Sequence, residues 1–105
     1  MIINEEAEQS VLGAIFLDDA VMEKSKLKGK YFHSQRHQKI FAAIAKVHQR
    51  GEQVTLVTVT TELGKDIQTV GGVGYLSELA ASVPTLETFE HHQCLVLDAF
   101  RYRKQ

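Results

Sequence analysis

Residues 34–51, SQRHQKIFAAIAKVHQRG, decide the fold. Ile40, Phe41, Ile44, Ala45 and Val47 recur at intervals of three and four, while Arg36, Lys39, Lys46, Gln49 and Arg50 fall mostly on the opposite side. That is the pattern of an amphipathic helix. Ser34 stands where a side chain caps the free amides of a first turn. Gly51 suits the left-handed conformation that ends a helix, with Arg50 beside the last carbonyls. Burying Ile40, Phe41 and Ile44 contributes about 1.5–3 kcal/mol each relative to exposure. A helix this short is marginal alone, so the rest of the chain must supply its neighbours.

Upstream, Asn4 reads as a cap, and Glu5, Glu6 and Glu8 place negative charge in a first turn, where the helix dipole favours it. Ala7, Val11, Leu12, Ile15 and Phe16 form a stripe, with Gly13 and Ala14 keeping the other side small, which predicts a helix over 5–17. Asp18-Asp19 predicts a short second helix over 20–27, closed by Lys28-Gly29-Lys30, and Tyr31-Phe32 staples the start of the next. Downstream, QVTLVTVTTELG (53–64) has β-branched residues with strand propensity. Thr55 as a cap, Leu56, Val59 and Leu63 on one face and Gly64 as a stop favour a helix over 56–63. Residues 66–70 read as a link and Gly71-Gly72 as a turn, leading to a helix over 73–81 with Tyr75, Leu76, Leu79 and Ala80 inward. Pro84 marks a break. Thr85 then caps a last helix whose stripe of Phe89, His92, Val96, Ala99 and Phe100 has no following element to cover it. The expected fold is all-α, an irregular bundle of about six helices.

The composition bounds the function. A chain of 105 residues supports one modest core. With 12 basic against 13 acidic residues no global field draws it to nucleic acid or an anionic membrane, so such a role needs a local patch. The lone Cys94 leaves no internal disulfide, and no apolar run reaches the length of a membrane span or a signal peptide, so the expected setting is the cytosol. The end on RYRKQ, inside a helical pattern, suggests a short natural product or a piece of something longer.

Reactive motifs are weak. Gly64-Lys65-Asp66 lacks the spacing and hydroxyl of a phosphate loop, and Gly71-Gly72-Val73-Gly74 has no Lys behind it. His33 and His37 need not share a helical face, and His91, His92 and Cys94 fan out around one helix, which argues against a metal site. The last three also lack an orienting acid or oxyanion donors for nucleophilic catalysis, and Cys94 reads as core. Arg101, Arg103 and Lys104 around Tyr102 offer phosphate contacts with a base-stacking ring, against the simpler role of complementing a helix C-terminus. Glu5, Glu6 and Glu8 read as a solvated first turn, or else as an acidic rim for a basic partner. Tyr75 fits the core better than a contact surface, though it joins Glu5, Glu6, Phe89, Val96 and Phe100 as the candidate partner surface.

Three strings, EAEQSVLGAIFLD (6–18), HQKIFAAIAKVHQRGEQVTLVTVTTEL (37–63) and VGGVGYLSELAASVPT (70–85), taken in order over nearly the whole chain, resemble the N-terminal domain of the bacterial replicative DNA helicase, the DnaB family, phage versions included. The resemblance implies a globular helical head over 1–84, the start of a helical hairpin arm over 85–105, and in the parent protein a RecA-like motor domain absent from this chain. It implies no catalytic, cofactor or metal site in this domain, ATP and Mg belonging to the motor. Partners implied are the other subunits of a hexamer, in which six such domains form a collar, the C-terminal helicase-binding domain of a primase, and DNA through the motor; no membrane is involved. This chain has Thr55 where the family usually has Asp and Gln53 where Pro is common, reverses the order at Tyr31-Phe32, and departs most over LETFEHHQCLVLDAFRYRK (86–104). The alternatives are a small helical nucleic-acid-binding domain using Arg101, Arg103 and Lys104, or the helicase-binding domain of a primase.

Overall fold

The first helix, not the one that begins after Ser34, is the centre of the molecule. In the computed structural model, which describes residues 5–82 and 89–104 apart from the side chains of Lys24, Arg103 and Lys104, α1 (Glu5–Leu17) buries Ala7, Glu8, Val11, Leu12, Gly13, Ala14 and Ile15. Five consecutive buried positions exceed one turn of 3.6 residues, so the second half of α1 is covered all round. The cover comes from α4 (Gly72–Ala81) and α5 (Phe89–Lys104), which pack along it, with α2 (Gln35–Gln49) touching it more lightly. α2 in turn packs on α3 (Leu56–Leu63). The small side of α1 at Gly13 and Ala14 is what admits the neighbouring helices.

Five α-helices and three 3-10 turns, Asp19–Lys24, Gly29–Tyr31 and Gly64–Ile67, make up the described residues, with no strand among them. The all-α bundle expected from periodicity is therefore the observed fold. The element expected over 20–27 is the 3-10 turn Asp19–Lys24, and here the sequence reading is corrected. Asp18 does cap it, accepting from Ala20 N at 3.0 Å. Ser25 is extended, its hydroxyl accepts from Leu27 N at 3.1 Å, and Lys26 N donates to Gln93 Oε1 at 2.8 Å. The amides a continuing helix would need are committed elsewhere, and Leu27 reaches the core from a segment between two 3-10 turns.

Thr55 caps α3 as expected and more fully than expected: its hydroxyl accepts from Thr58 N at 3.1 Å while Thr55 N donates to Thr58 Oγ1 at 2.9 Å, a reciprocal capping box. Both donors that strand-prone neighbours would leave free are thereby held in a helical turn. Gly64 closes α3 at φ +51°, and Gly51 follows α2 at φ +80°. Gly71 precedes α4 at φ +110°, and a Cβ placed there would stand 2.9 Å from Tyr75 Cβ. Glycine is required at 71 on both counts.

The stripe on the last helix is not open, which corrects the reading of Phe89 and Val96 as partner surface. Phe89, Val96 and Ala99 are 4%, 1% and 3% exposed, and the first two belong to the same core cluster as α1. Phe100 is half-buried, its ring centroid 4.7 Å from that of Tyr31. The helix finds cover upstream, in α1. A radius of gyration of 12.7 Å, against about 13 Å for a compact chain of this length, agrees with α5 lying on the head. Gln93 rather than His92 completes the inward face. Cys94, expected in the core, is exposed. The caps expected at Asn4 and Thr85 and the break at Pro84 lie outside the described residues.

Candidate partner-docking surface

The N-terminal turn of α2 is built around a carboxylate from another helix. Ser34 occupies the cap position but its side chain makes no capping bond, correcting the expectation from sequence. The work falls to Glu8 of α1, whose Oε2 accepts from His33 N at 2.7 Å and whose Oε1 accepts from Ser34 N at 3.4 Å. The same Oε1 meets His37 Nδ1 at 2.7 Å. Glu8 is 1% and His37 0% exposed, so Glu8 does not belong with the solvated acids of the first turn. A carboxylate accepts only, so Nδ1 donates and Nε2 is left to pair with the Tyr75 hydroxyl, 2.5 Å away on α4. Tyr75 Oη then accepts from Gln9 Nε2 at 3.3 Å. One chain of bonds thus ties α1, α2 and α4 together, and no buried side-chain polar atom among the described residues lacks a partner.

A carboxylate, an imidazole and a hydroxyl in line resemble a catalytic relay, but the surroundings oppose that role. Both imidazole nitrogens and both carboxylate oxygens are committed. The hydroxyl end borders a recess of about 200 Å³ lined by Gln9, Tyr75, Glu78, Leu79 and Ser82. Its one charged side chain, Glu78, would repel a developing oxyanion rather than stabilise it. The network holds a surface in place.

On that surface Tyr75 is half-buried beneath Arg36, whose guanidinium carbon lies 4.0 Å from the ring centroid. Arg36 Nη2 also reaches Glu5 Oε1 at 3.4 Å. Of the six side chains expected at a partner surface, Glu5 and Tyr75 thus meet through Arg36 on one face and Glu6 is exposed, while Phe89 and Val96 lie inside and Phe100 packs on Tyr31. Among the basic side chains on and just after α2, Lys39 lies 3.8 Å from Asp66, the His48 ring 3.4 Å from Glu23, and Arg50 2.6 and 2.5 Å from Glu52 and Glu62. The bonds from Arg50 to Glu52 and then Glu62 hold its guanidinium above the ordinary arginine pKa. These acids offset part of the positive charge that phosphates would need along α2. Of the candidate phosphate contacts, Arg101 is exposed and paired with Asp98 at 3.4 Å, and the side chains of Arg103 and Lys104 lie outside the described residues. No cluster of three or more His, Cys, Asp or Glu among the described residues is placed to hold a metal, and no helix is long and apolar enough to cross a membrane.

A second feature escaped the sequence. Val57 is 74% and Val73 49% exposed, and with Leu56, Thr60 and Thr61 they line a shallow groove of about 270 Å³ between α3 and α4. The stripe that defines α3 says which residues go inside and nothing of what the outward valine does.

Among the described residues the buried side-chain polar atoms are all bonded, and comparison with known proteins places the chain in a family. The family model of the DnaB-like helicase N terminal domain matches residues 1–98. The chain belongs to that family. This DnaB-type domain is 48% identical over 95 residues to the replicative DNA helicase DnaB of Geobacillus stearothermophilus, covering 87% of the chain and 21% of that protein. It is 43% identical over 97 residues to the replicative DNA helicase DnaC of Bacillus subtilis, again covering 21% of the relative. The domain thus spans about a fifth of the length of these relatives. In three dimensions it is similar to the crystal structure of the N-terminal domain of DnaB helicase from Mycobacterium tuberculosis, with 30% identity and a TM-score of 0.91 over 97% of this chain and 76% of the other. A second solved structure, of a DnaB-like replicative helicase and its interactions with primase, gives 34% identity and a TM-score of 0.89 over 96% of this chain and 25% of the other.

Proposed function

We propose that this domain is the non-catalytic collar of a hexameric replicative DNA helicase, where it mediates subunit association and docks the C-terminal helicase-binding domain of a primase. The observation that carries the reading is the likeness, at a TM-score of 0.89, to a helicase solved for its interactions with primase. The interior supports it, since the Glu8–His37–Tyr75 chain is bonded at each link and its acid and imidazole are buried. ATP, Mg and DNA engage a RecA-like motor in the parent protein, which acts in the bacterial cytosol.

Subunit association falls to the outward face of α5, where His91, Cys94, Asp98, Arg101 and Tyr102 are exposed and Leu95 and Leu97 half-buried. The 105-residue chain is then monomeric or weakly associating, and a longer chain carrying a second hairpin arm oligomerises; equal masses for both by sedimentation would contradict this. Titrating the chain with the primase C-terminal domain from the same organism, by calorimetry, tests the docking. Saturable one-to-one binding is expected, with no ATP turnover by the chain alone. Absence of binding, or stoichiometric hydrolysis of ATP, overturns the respective half of the reading.

A further inference from the structure

Positive charge gathers on the segment between α1 and α2. No Asp or Glu occurs between Glu23 and Glu52, a span that opens with Lys24, Lys26, Lys28 and Lys30 and continues into the cations of α2. Arg36, Lys39 and Arg50 find acids on other elements. Lys26, Lys28 and Lys30 are exposed, and no ion pair among the described residues involves them. Like charges at alternate positions repel one another, and no acid is paired with them to offset that cost. The backbone that carries them is nevertheless pinned. Leu27, 7% exposed, belongs to the core cluster, Lys26 N donates to Gln93 Oε1 of α5 at 2.8 Å, and the ring of Tyr31, which ends the 3-10 turn holding Lys30, packs on Phe100 at 4.7 Å. The three cations are therefore held beside α5 before any ligand arrives, which lowers the ordering cost of binding one.

Charge complementarity says what the strip takes. The chain as a whole has a net charge of -1 and does not draw a polyanion, so attraction has to be local. A phosphodiester chain carries a charge on every nucleotide and can meet all three lysines whatever its sequence, whereas an acidic polypeptide needs carboxylates in a matching run. One row of cations fits one backbone. Beside it Tyr31 is half-buried, with Lys30 Nζ 5.7 Å from its ring centroid, and an aromatic face next to a cation suits an unstacked base, which a duplex does not present. We propose that Lys26, Lys28 and Lys30, with Tyr31 beside them, form a contact strip for the phosphate backbone of single-stranded nucleic acid. The strip goes beyond the primase-docking reading and does not depend on it.

The test is a fluorescence-anisotropy titration of a labelled oligothymidylate, about 16 nucleotides long, with the chain and with K28Q, K26Q/K28Q/K30Q and K65Q. K65Q removes one exposed charge from a different element, the 3-10 turn after α3. With one phosphate met by each lysine, log affinity should fall against log salt with a slope of about −2, so that a fourfold rise in salt weakens binding roughly 20-fold. K28Q is expected to weaken binding and to reduce the slope by about 0.7, the triple variant to abolish salt-dependent binding, and K65Q to change neither. Melting temperatures should match throughout, because the substituted lysines are exposed. No binding by the unsubstituted chain, or a loss with K65Q equal to that with K28Q, overturns the strip. Equal affinity for a duplex of the same length, or displacement of the oligonucleotide by a lower concentration of polyglutamate, assigns the lysines to another polyanion and overturns the proposal as well. None of these readouts uses a primase, so failure of the docking titration and failure of the strip are distinguishable.

Discussion

Replacing Glu8 by Ala should strongly destabilise the domain, although the residue lies in a stretch that reads as a solvated helix start. Its carboxylate accepts from His33 N, Ser34 N and His37 Nδ1, and all three donors lose their acceptor together. Hydrogen bonds to a charged group contribute about 1.5–3 kcal/mol each. The three do not add fully, because the mutant also escapes the cost of keeping a carboxylate 1% exposed. Truncating one partner of a buried pair costs about 3–5 kcal/mol in general, and E8A belongs in that range. Against a total of about 5–15 kcal/mol for a small domain the loss is roughly a fifth or more, and it should lower the melting temperature by roughly 12 °C or more. E8Q keeps an acceptor for His33 N and loses the charge, so about 1–3 kcal/mol is expected. Urea unfolding followed by circular dichroism gives both values. The cycle with His37→Ala isolates the pair, since E8A/H37A should cost at least about 0.5 kcal/mol less than the two singles summed. A loss under about 1 kcal/mol for E8A, or strict additivity with H37A, refutes the assignment of Glu8 as the anchor of α2.

Three further outcomes follow from the geometry. G71A forces a side chain into φ +110° and against Tyr75 Cβ at 2.9 Å, so it should cost about 1–3 kcal/mol in urea midpoint; a neutral G71A means the turn before α4 is not held as described. T55A removes the acceptor for Thr58 N and should cost about 1 kcal/mol, with T55A/T58A costing less than the sum because the box is reciprocal. V96D places an unpaired charge at a position 1% exposed and should abolish cooperative unfolding; a folded V96D that only fails to associate would restore Val96 to the partner surface.

The helices were legible wherever an apolar stripe met a punctuating residue. α1 and α3 begin and end where the residues place them, because Gly64 stops α3, and Thr55 caps it despite the β-branched run that follows. The turn Asp19–Lys24 was overread because a cap and one buried residue, Val21, do not outweigh amides claimed by Ser25 and Gln93. The covering of α5 was missed for a different reason. Periodicity shows that Phe89 and Val96 need a partner, and only the tertiary arrangement shows that α1 provides it. The same limit hid the groove, since a helical pattern ranks residues by the face they bury and is silent about a valine on the other side.

The relay that fixes the surface did carry a signal. Glu8 precedes Val11, Leu12 and Ile15 by three, four and seven residues, and His37 stands in the same relation to Ile40, Phe41 and Ile44. Gln93 follows Phe89 by four and precedes Val96 and Phe100 by three and seven. Each polar residue sits on the apolar face of its own helix, where it must be buried and therefore must be bonded. Acid and imidazole misplaced on two such faces are natural partners, so their pairing was open to inference before any coordinates. Its consequence was not, because Tyr75 enters from a third helix 38 residues beyond His37. By joining Tyr75 to that pair, the fold sets the orientation of α4 against α1 and α2. Arg36 stacks on the ring so placed, and Val73, two residues before it, is presented to α3 at a fixed height. The buried polar chain and the exposed neutral groove are thus linked mechanically through α4. Loosening the first should blur the second even where Val57 and Val73 themselves are untouched.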